Sequence, residues 1–464
     1  MTAHAAPTAR RGHALIAGAG MAGLLTARVL ADHYEHVTVL DRDRLADRPE
    51  FRGGVPQSPH THVLLGRGLA AVETLFPGIR AELLKAGAVP LDWPGDALWL
   101  TAAGWSRRFR PGMSIVSLSR DLVEWTVRQR VLDHPRIELQ AETEITGLVA
   151  EPDGAAVTGV RVRRRGQPES ERTVATDLAV DATGRQSHCC QWLTELGCPT
   201  PAEESIACDV GYASRFYARP PDGADWRLML LQAQPPDHTR SGMIAAVDGD
   251  RWLVSLVGRL GDRPPTDDDG FLDFAATLRS PLLHEALRTA EPLSPVRGFK
   301  VSRTYRRRFD QLSRRPHHFV VVGDAVCTLN PVYAQGMSVA AIGALALHAE
   351  LRRPPGADLT RRLQARIVRA SADAWLVASG EDLRYVALRD GQRPPLRNRV
   401  MRPYLDRVMR TGTYDRFVNQ ALLRVLNLEH SPMSLLRPRI LLHTVRPGRA
   451  APPTQAPVEA PPAA

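Results

Sequence analysis

The sequence predicts an α/β (α+β) chain in which a parallel sheet is interleaved with a second β-sheet domain and followed by a helical extension. Three observations carry this. The apolar run His13–Ala17 leads straight into Gly18, Gly20 and Gly23 of GAGMAG. Far downstream, Phe319–Val322 leads into GDAVCTLNPVYAQGM, which begins at Gly323. Between them, short apolar runs are broken by Pro, Gly and Asp turns, the pattern of a sheet rather than of a helical domain.

The first signature describes a Rossmann-type βαβ unit. A strand ends at Ala17, and Gly18 allows a sharp turn. Gly20 leaves room for a pyrophosphate to approach the backbone, and Gly23 lets the following helix lie close on the sheet. Met21 and Ala22 open a small, apolar helix, Met21–Ala31, whose free N–H groups and partial positive charge suit phosphates. A second strand, Val37–Leu40, ends at Asp41, with seventeen residues between Gly23 and Asp41. A carboxylate there accepts from adenosine ribose hydroxyls and repels a 2′-phosphate.

The second signature decides which dinucleotide. Asp324 follows a strand and Gly323, where a short acid reaches a sugar-like hydroxyl such as those of a ribityl chain. Pro331 stiffens the next loop, and Gln335, Gly336 and Met337 open the helix Ser338–Leu351. The positive end of that helix would face the pyrimidine end of an isoalloxazine and stabilise its anionic reduced form. Together the signatures imply one FAD held at both ends. Asn330, Pro331 and Tyr333, in the loop expected to border the flavin, are the candidates for the pocket wall.

The intervening chain is ordered accordingly. Ile137–Leu139 and Glu144–Val149 read as short strands, and Val157–Arg165 as a hairpin partner of Glu171–Val180. The expected organisation is a flexible start (1–11), an FAD-binding domain with the first substrate-domain strands interleaved (12–205), and a β-sheet substrate domain (206–305). The GD-motif return (306–355), a helical region (356–446) and a disordered Pro/Ala-rich tail (447–464) follow. Asp273–Leu287 reads as a helical interruption, and prolines 394, 395 and 403 as punctuation between helices.

On these motifs the chain resembles a known family. GxGxxG ending in Asp41-Arg42, Arg120 in SLSRDLVEWTV, DATG at Asp181–Gly184 and GDAVCTLNPVYAQGM are similar to FAD monooxygenases built on the para-hydroxybenzoate hydroxylase fold. Within that group, RGGVPQSPHTHVLL (Arg52–Leu65) and GDAVCTLNPVYAQGMS look most like the flavin epoxidases of polyether antibiotic pathways, and more distantly squalene epoxidase. The resemblance covers residues 12–350, with a loose match beyond at DAWLVASGEDLRY. It implies Arg42 and Arg52 along the adenosine and pyrophosphate, Arg120 reaching the cofactor, and the Asp181–Gly184 turn near it. It also implies reduction of FAD by NAD(P)H, or by a flavin reductase partner, and addition of O2 at flavin C4a. The hydroperoxide so formed would epoxidise or hydroxylate a lipophilic polyketide or terpenoid intermediate, without a protein nucleophile or metal. The alternative is a flavin-dependent reductase of a prenyl or polyene chain. A halogenase is disfavoured, because Trp93, Trp99 and Trp105 do not show the WxWxIP spacing.

Composition sets the remaining bounds. The 464-residue chain carries a net charge of +10, yet Lys85 and Lys300 are its only lysines. The arginines are scattered, apart from Arg163–Arg165 and Arg306–Arg308, with no stacking platform, so nucleic-acid binding is not expected. His60 and His62 read as structural or cofactor-adjacent rather than as metal ligands. Five cysteines lack metal spacing and read as reduced thiols. No apolar stretch is long enough to span a bilayer, and the opening MTAHAAPTARRG lacks a signal-peptide core, so a cytoplasmic location is expected. Ser434–Val445 (SLLRPRILLHTV) is expected to pack as a helix on the body, with contact at a membrane surface as the alternative.

Overall fold

The strand ends decide where the chemistry sits. In a computed structural model, which describes residues 10–221, 224–354, 358–391, 393–445 and 451–457, a parallel sheet has the order 319–321, 178–181, 11–17, 34–40, 137–140. Its register pairs Ala17 with both Leu40 and Asp181, and Asp181 with Val321. Four strands therefore end in one row, and Gly18, Asp41, Ala182 and Val322 leave the sheet side by side. This is the carboxyl edge of a parallel sheet, where α/β proteins bind ligands. The helix Met21–Leu30 buries Leu24, Leu25 and Leu30 completely against this sheet. Each contributes roughly 1.5–3 kcal/mol of apolar burial.

The second layer is an eight-stranded sheet with the order 327–328, 297–307, 203–218, 251–259, 240–247, 228–231, 97–101, 104–105. It draws in strands from before and after the block 206–305. The hairpin expected from Val157–Arg165 is present, but its partner strand is only Arg172–Ala175. Leu178–Asp181 instead joins the parallel sheet, because its run of buried side chains suits a strand covered on both faces. Arg11, expected in the flexible start, already pairs with Tyr34. Asp273–Leu287 resolves into two helices, Asp268–Ala276 and Leu282–Arg288, broken at Ser280–Pro281.

The C-terminal region is helical: Leu359–Ala370, Ala372–Asp390, Leu396–Gly412, Arg416–Leu426 and Pro438–Val445. Pro394 and Pro395 precede a helix as expected, whereas Pro403 lies inside one. Pro403 is exposed at mid-helix, and the buried Val408 and the Tyr404 hydroxyl, which donates to the Leu435 carbonyl, anchor the turns that follow it. Of the tail expected to be disordered, residues 451–457 lie against the large sheet. Trp105 N donates to the Pro453 carbonyl at 3.3 Å, and Ala456 joins the apolar cluster there. Residues 1–9, 446–450 and 458–464 lie outside the described residues. Among the described residues no helix is long and apolar enough to cross a membrane, and all five cysteines are free thiols.

Candidate functional site

The glycine turn is built by close approach. Gly18 sits at φ +105° with its Cα facing the Ala182 carbonyl, so a side chain there would strike backbone. A Cβ on Gly23 would collide with the Gly18 carbonyl, which is how the helix comes down on the sheet. Gly20 is open: the nearest atom to a Cβ there is the Arg52 Nη2, at 3.9 Å. Met21 and Ala22 form the first helical turn beside it.

Asp41 anchors the turn. Its Oδ2 accepts from Ala19 N at 2.7 Å and its Oδ1 from Asp43 N at 2.9 Å, while Arg52 Nη1 donates to both oxygens at 3.1 Å. Arg52 also meets Asp43 at 3.1 Å and Glu124 at 2.7 Å, and Glu124 pairs in turn with Arg120. The result is a cage of two arginines and three carboxylates between the glycine turn and the helix Arg120–Leu132. Burial would raise the Glu124 carboxyl, but Arg120 and Arg52 outweigh it and hold it below the ordinary range. A shallow cleft opens beside the cage, lined by Arg52, Arg120, Glu124 and Arg128 among others. Asp41 has no acceptor position left, so a ribose hydroxyl would compete with Arg52 for it.

The distant GD motif meets the glycine turn directly. A Cβ on Gly323 would press within 2.6 Å of the Ala22 Cβ. Asp324 Oδ1 lies 3.9 Å from where a Gly336 Cβ would stand, placing the acid at the start of the helix Gly336–Leu351. Burial raises the Asp324 carboxyl, and Arg185 and Arg120 pull against that. Gly184 approaches the Asp324 Cβ from the other side. Asp181 spends both its oxygens locally, accepting from Thr183 and Ser187. Arg42 lies exposed and donates to Gln186 at 2.6 Å.

The pocket-wall candidates fold away from the nucleotide side. Asn330 accepts from the Tyr212 hydroxyl at 2.8 Å and donates to Asp382 Oδ1 at 2.9 Å. The Tyr333 hydroxyl donates to the same oxygen at 2.8 Å, and Arg259 Nη1 at 3.2 Å. Arg259 lies 4.0 Å from the centre of the Tyr385 ring. Pro331 supplies the one-turn bend that carries Asn330 and Tyr333. Arg259 and Asp382 are both buried, so each neutralises the other, and the nearby tyrosines together with Asp382 raise the guanidinium well above its usual value against the pull of burial.

The loop Arg52–Leu65 bridges the two clusters. Thr61 N donates to Ser255 Oγ at 3.1 Å and His60 Nδ1 meets Ser214 Oγ at 2.8 Å, docking the loop on the large sheet. Leu65 N donates to Ser338 Oγ at 3.1 Å. Burial lowers His60 to about 4 and His62 to about 3, so both rings are neutral near pH 7. Among the described residues no cluster of metal ligands exists.

The sequence reading did not single out Glu124, Tyr212, Arg259 or Asp382. Asp382 lies within DAWLVASGEDLRY, the one downstream stretch with a loose resemblance, and Glu124 lies within SLSRDLVEWTV, one turn after Arg120; Tyr212 and Arg259 lie outside the motifs that carry the resemblance.

The cradle fits FAD on three observations. Close-approach glycines leave backbone bare at Gly20, the buried Arg120 Nη1 donor has no partner, and the buried Gln335 Oε1 has none either. The bare backbone and the Arg120 donor would meet phosphate oxygens, and the Gln335 acceptor an N–H donor of the flavin's polar edge. Met337 follows Gln335 and Gly336 in the same helix start.

These features define a flavin-binding α/β enzyme fold with a β-sheet substrate side, and the comparisons agree. A family model described as FAD binding domain matches residues 11–354, and the chain belongs to that family. It is 32% identical over 390 residues to Protein Rv3254 of Mycobacterium tuberculosis, covering 80% of each chain. Among solved structures, flavin-dependent brominase Bmp2 is similar at a TM-score of 0.64 and 15% identity, covering 91% of this chain and 97% of that one. PqsL from Pseudomonas aeruginosa, a probable FAD-dependent monooxygenase, matches at 0.58 and 18%, covering 82% and 96%. At those identities the likeness is one of fold, and the fold is that of flavin-dependent monooxygenases and halogenases.

Proposed function

We propose that the protein is an FAD-dependent monooxygenase that transfers one oxygen atom of O2 to a lipophilic small molecule. The step is epoxidation or hydroxylation of a polyketide or terpenoid intermediate in natural-product biosynthesis, with electrons from NAD(P)H or a reductase partner. Bound FAD supplies the redox and oxygen chemistry; the chain supplies the rest. Arg52 and Arg120 neutralise the pyrophosphate. Asp324 orients the ribityl chain, and the start of the helix Gly336–Leu351 offers its N–H groups to the flavin.

One observation carries the substrate class. The wall opposite the cradle presents no net charge: His60 is neutral, Tyr212 and Tyr333 are held protonated by burial, and Arg259 cancels Asp382. With the aromatic rings of Tyr212 and Phe299 beside His60, that wall favours an apolar molecule over an anion. No nucleophile–base pair is needed at such a wall, since the oxygen donor is the cofactor.

The test is to purify the protein with its flavin, then follow NAD(P)H oxidation and oxygen uptake against a panel of polyene, terpenoid and carboxylate-bearing candidates. Product that has gained one oxygen atom per reductant consumed supports the reading. Saturation of an alkene with no oxygen in the product favours a reductase. Turnover restricted to anionic substrates removes the lipophilic class.

A further inference from the structure

The C-terminal helices carry a face that nothing in the catalytic reading uses. Residues 388–445 hold seven of the eleven exposed large apolar side chains among the described residues: Leu388, Leu396, Val400, Leu405, Met433, Leu442 and Val445. The most exposed are Leu396 at 70%, Val400 at 67%, Met433 at 61% and Val445 at 57%. These are not scattered singly over the protein, which would call for no explanation.

Helical geometry arranges them. In Leu396–Gly412, positions 396, 400, 403 and 407 fall on successive turns of one face, while Val408, Thr411 and Gly412 are the buried positions. Arg407 on the exposed row reaches the end of the helix Pro438–Val445, donating to the Thr444 carbonyl at 2.7 Å and the Val445 carbonyl at 2.8 Å. That second helix packs inward through Ile440 and Thr444 and turns Arg439, Leu442 and Val445 outward. Two adjoining helices thus present apolar side chains on one continuous side of the molecule.

The charge of this face identifies its occupant. Leu396–Gly412 contains five arginines and one acid, Asp406, which is paired with Arg402. Among the described residues Arg397, Arg399 and Arg410 are exposed and make no ion pair, and neither does Arg437 beside the second helix. Unpaired guanidinium groups alternating with exposed leucine and valine suit a surface that is anionic outside and apolar just beneath. Arginine stems lie along apolar surface while their heads stay with headgroups. An acidic protein would satisfy the charges but would leave the isolated leucines and valines without a groove to fill.

We propose that the face formed by Leu396–Gly412 and Pro438–Val445 seats the protein on an anionic lipid bilayer, lying in the interface rather than crossing it. Ser434–Val445 then has both roles considered for it, because its inner side packs on the body and its outer side remains free.

The experiment is flotation of the full flavin-loaded chain with phosphatidylglycerol–phosphatidylcholine vesicles and with phosphatidylcholine vesicles. The expected result is partitioning onto the anionic vesicles alone, weakened by salt. Replacing Arg397, Arg399 and Arg410 by Gln is expected to lower that partitioning by at least about tenfold. The pair Leu396→Asp and Val400→Asp is expected to lower it by roughly as much. Bound flavin, read from the visible spectrum, stays unchanged in both variants. Three results would overturn the proposal: no binding to anionic vesicles, binding that neither variant weakens, or variants that instead dissociate an oligomer in sedimentation without vesicles. The last would make this a contact between copies of the chain.

Discussion

Two buried charge clusters flank the loop Arg52–Leu65, and they are built on opposite principles. The cage at the glycine turn holds Arg52 and Arg120 against Asp41, Asp43 and Glu124, keeps a donor unmatched on Arg120, and opens onto a cleft. The cluster around Asp382 holds one cation against one anion, is sealed from water, and has Asn330, Tyr333 and Arg259 all converging on a single carboxylate oxygen. A site that must accept a charged ligand keeps spare donors and shared partners. A site that shapes a wall spends its donors on itself, and here only the buried Asp382 Oδ2 acceptor is left without a partner. The first kind tolerates the loss of one member because charges are shared; the second does not.

That contrast breaks most directly at Asp382. Asp382→Ala leaves Arg259 buried without a counter-charge, and denaturant unfolding is expected to show a loss of about 3–5 kcal/mol. Replacing the pair together, Arg259→Met with Asp382→Leu, is expected to recover most of it. A silent Asp382→Ala would refute the sealed, one-to-one pairing.

At the cage the expected penalty falls on ligand rather than on fold. Arg120→Met should weaken FAD binding by roughly 10- to 100-fold, about 1.5–3 kcal/mol for a charge-assisted hydrogen bond. Because Arg52 still holds Glu124, unfolding stability should fall by less than in Asp382→Ala. Titrating flavin into the stripped chain and following its visible absorbance measures the first, and unfolding the apoprotein measures the second.

The bridging loop adds a pH dependence. His60 drops from an ordinary 6.5 to about 4 on folding, so the unfolded chain binds the extra proton between those values. Stability is full above about pH 6.5 and is lost progressively as pH falls toward 4. Between pH 7 and pH 5 this amounts to about 1–2 kcal/mol. His60→Gln should flatten that share of the profile, and an unchanged slope would mean the ring is not desolvated as the Ser214 contact indicates. The smallest effect is expected at Arg42, which is exposed and holds only Gln186: Arg42→Ala should stay within about 0.5 kcal/mol of the parent in unfolding.

The two clusters also differ in how far the sequence betrayed them. Gly18, Gly23 and Asp41 were legible because a tight turn and a close-packed helix restrict which residues fit, and those restrictions act over a few positions of chain. The GD motif was legible for the same reason, and its meeting with Ala22 followed once both turns were assigned to one sheet edge. Asp382 was not, since its partners Arg259 and Asn330 are 123 and 52 residues away and no local rule links them. On the page Asp382 reads as an ordinary helix acid in an arginine-rich stretch. Pro403 misled in the opposite direction: it sits at mid-helix on the exposed side, where water can meet the carbonyl its missing N–H frees, and Tyr404 and Val408 hold the turns that follow. Glu171–Val180 misled because two short strands of different sheets follow each other with only Thr176 and Asp177 between them.

The Pro453 carbonyl bonded to Trp105 has a consequence for the large sheet as a whole. Gly104–Trp105 is the last strand on that side, and an unguarded rim of that kind invites a stranger's backbone to add on. Pro453 accepts from the rim, and neither it nor Pro452 offers an amide hydrogen outward, so the lamination stops there. The tail thereby acts as selvedge, finishing a woven border that would otherwise fray into aggregates.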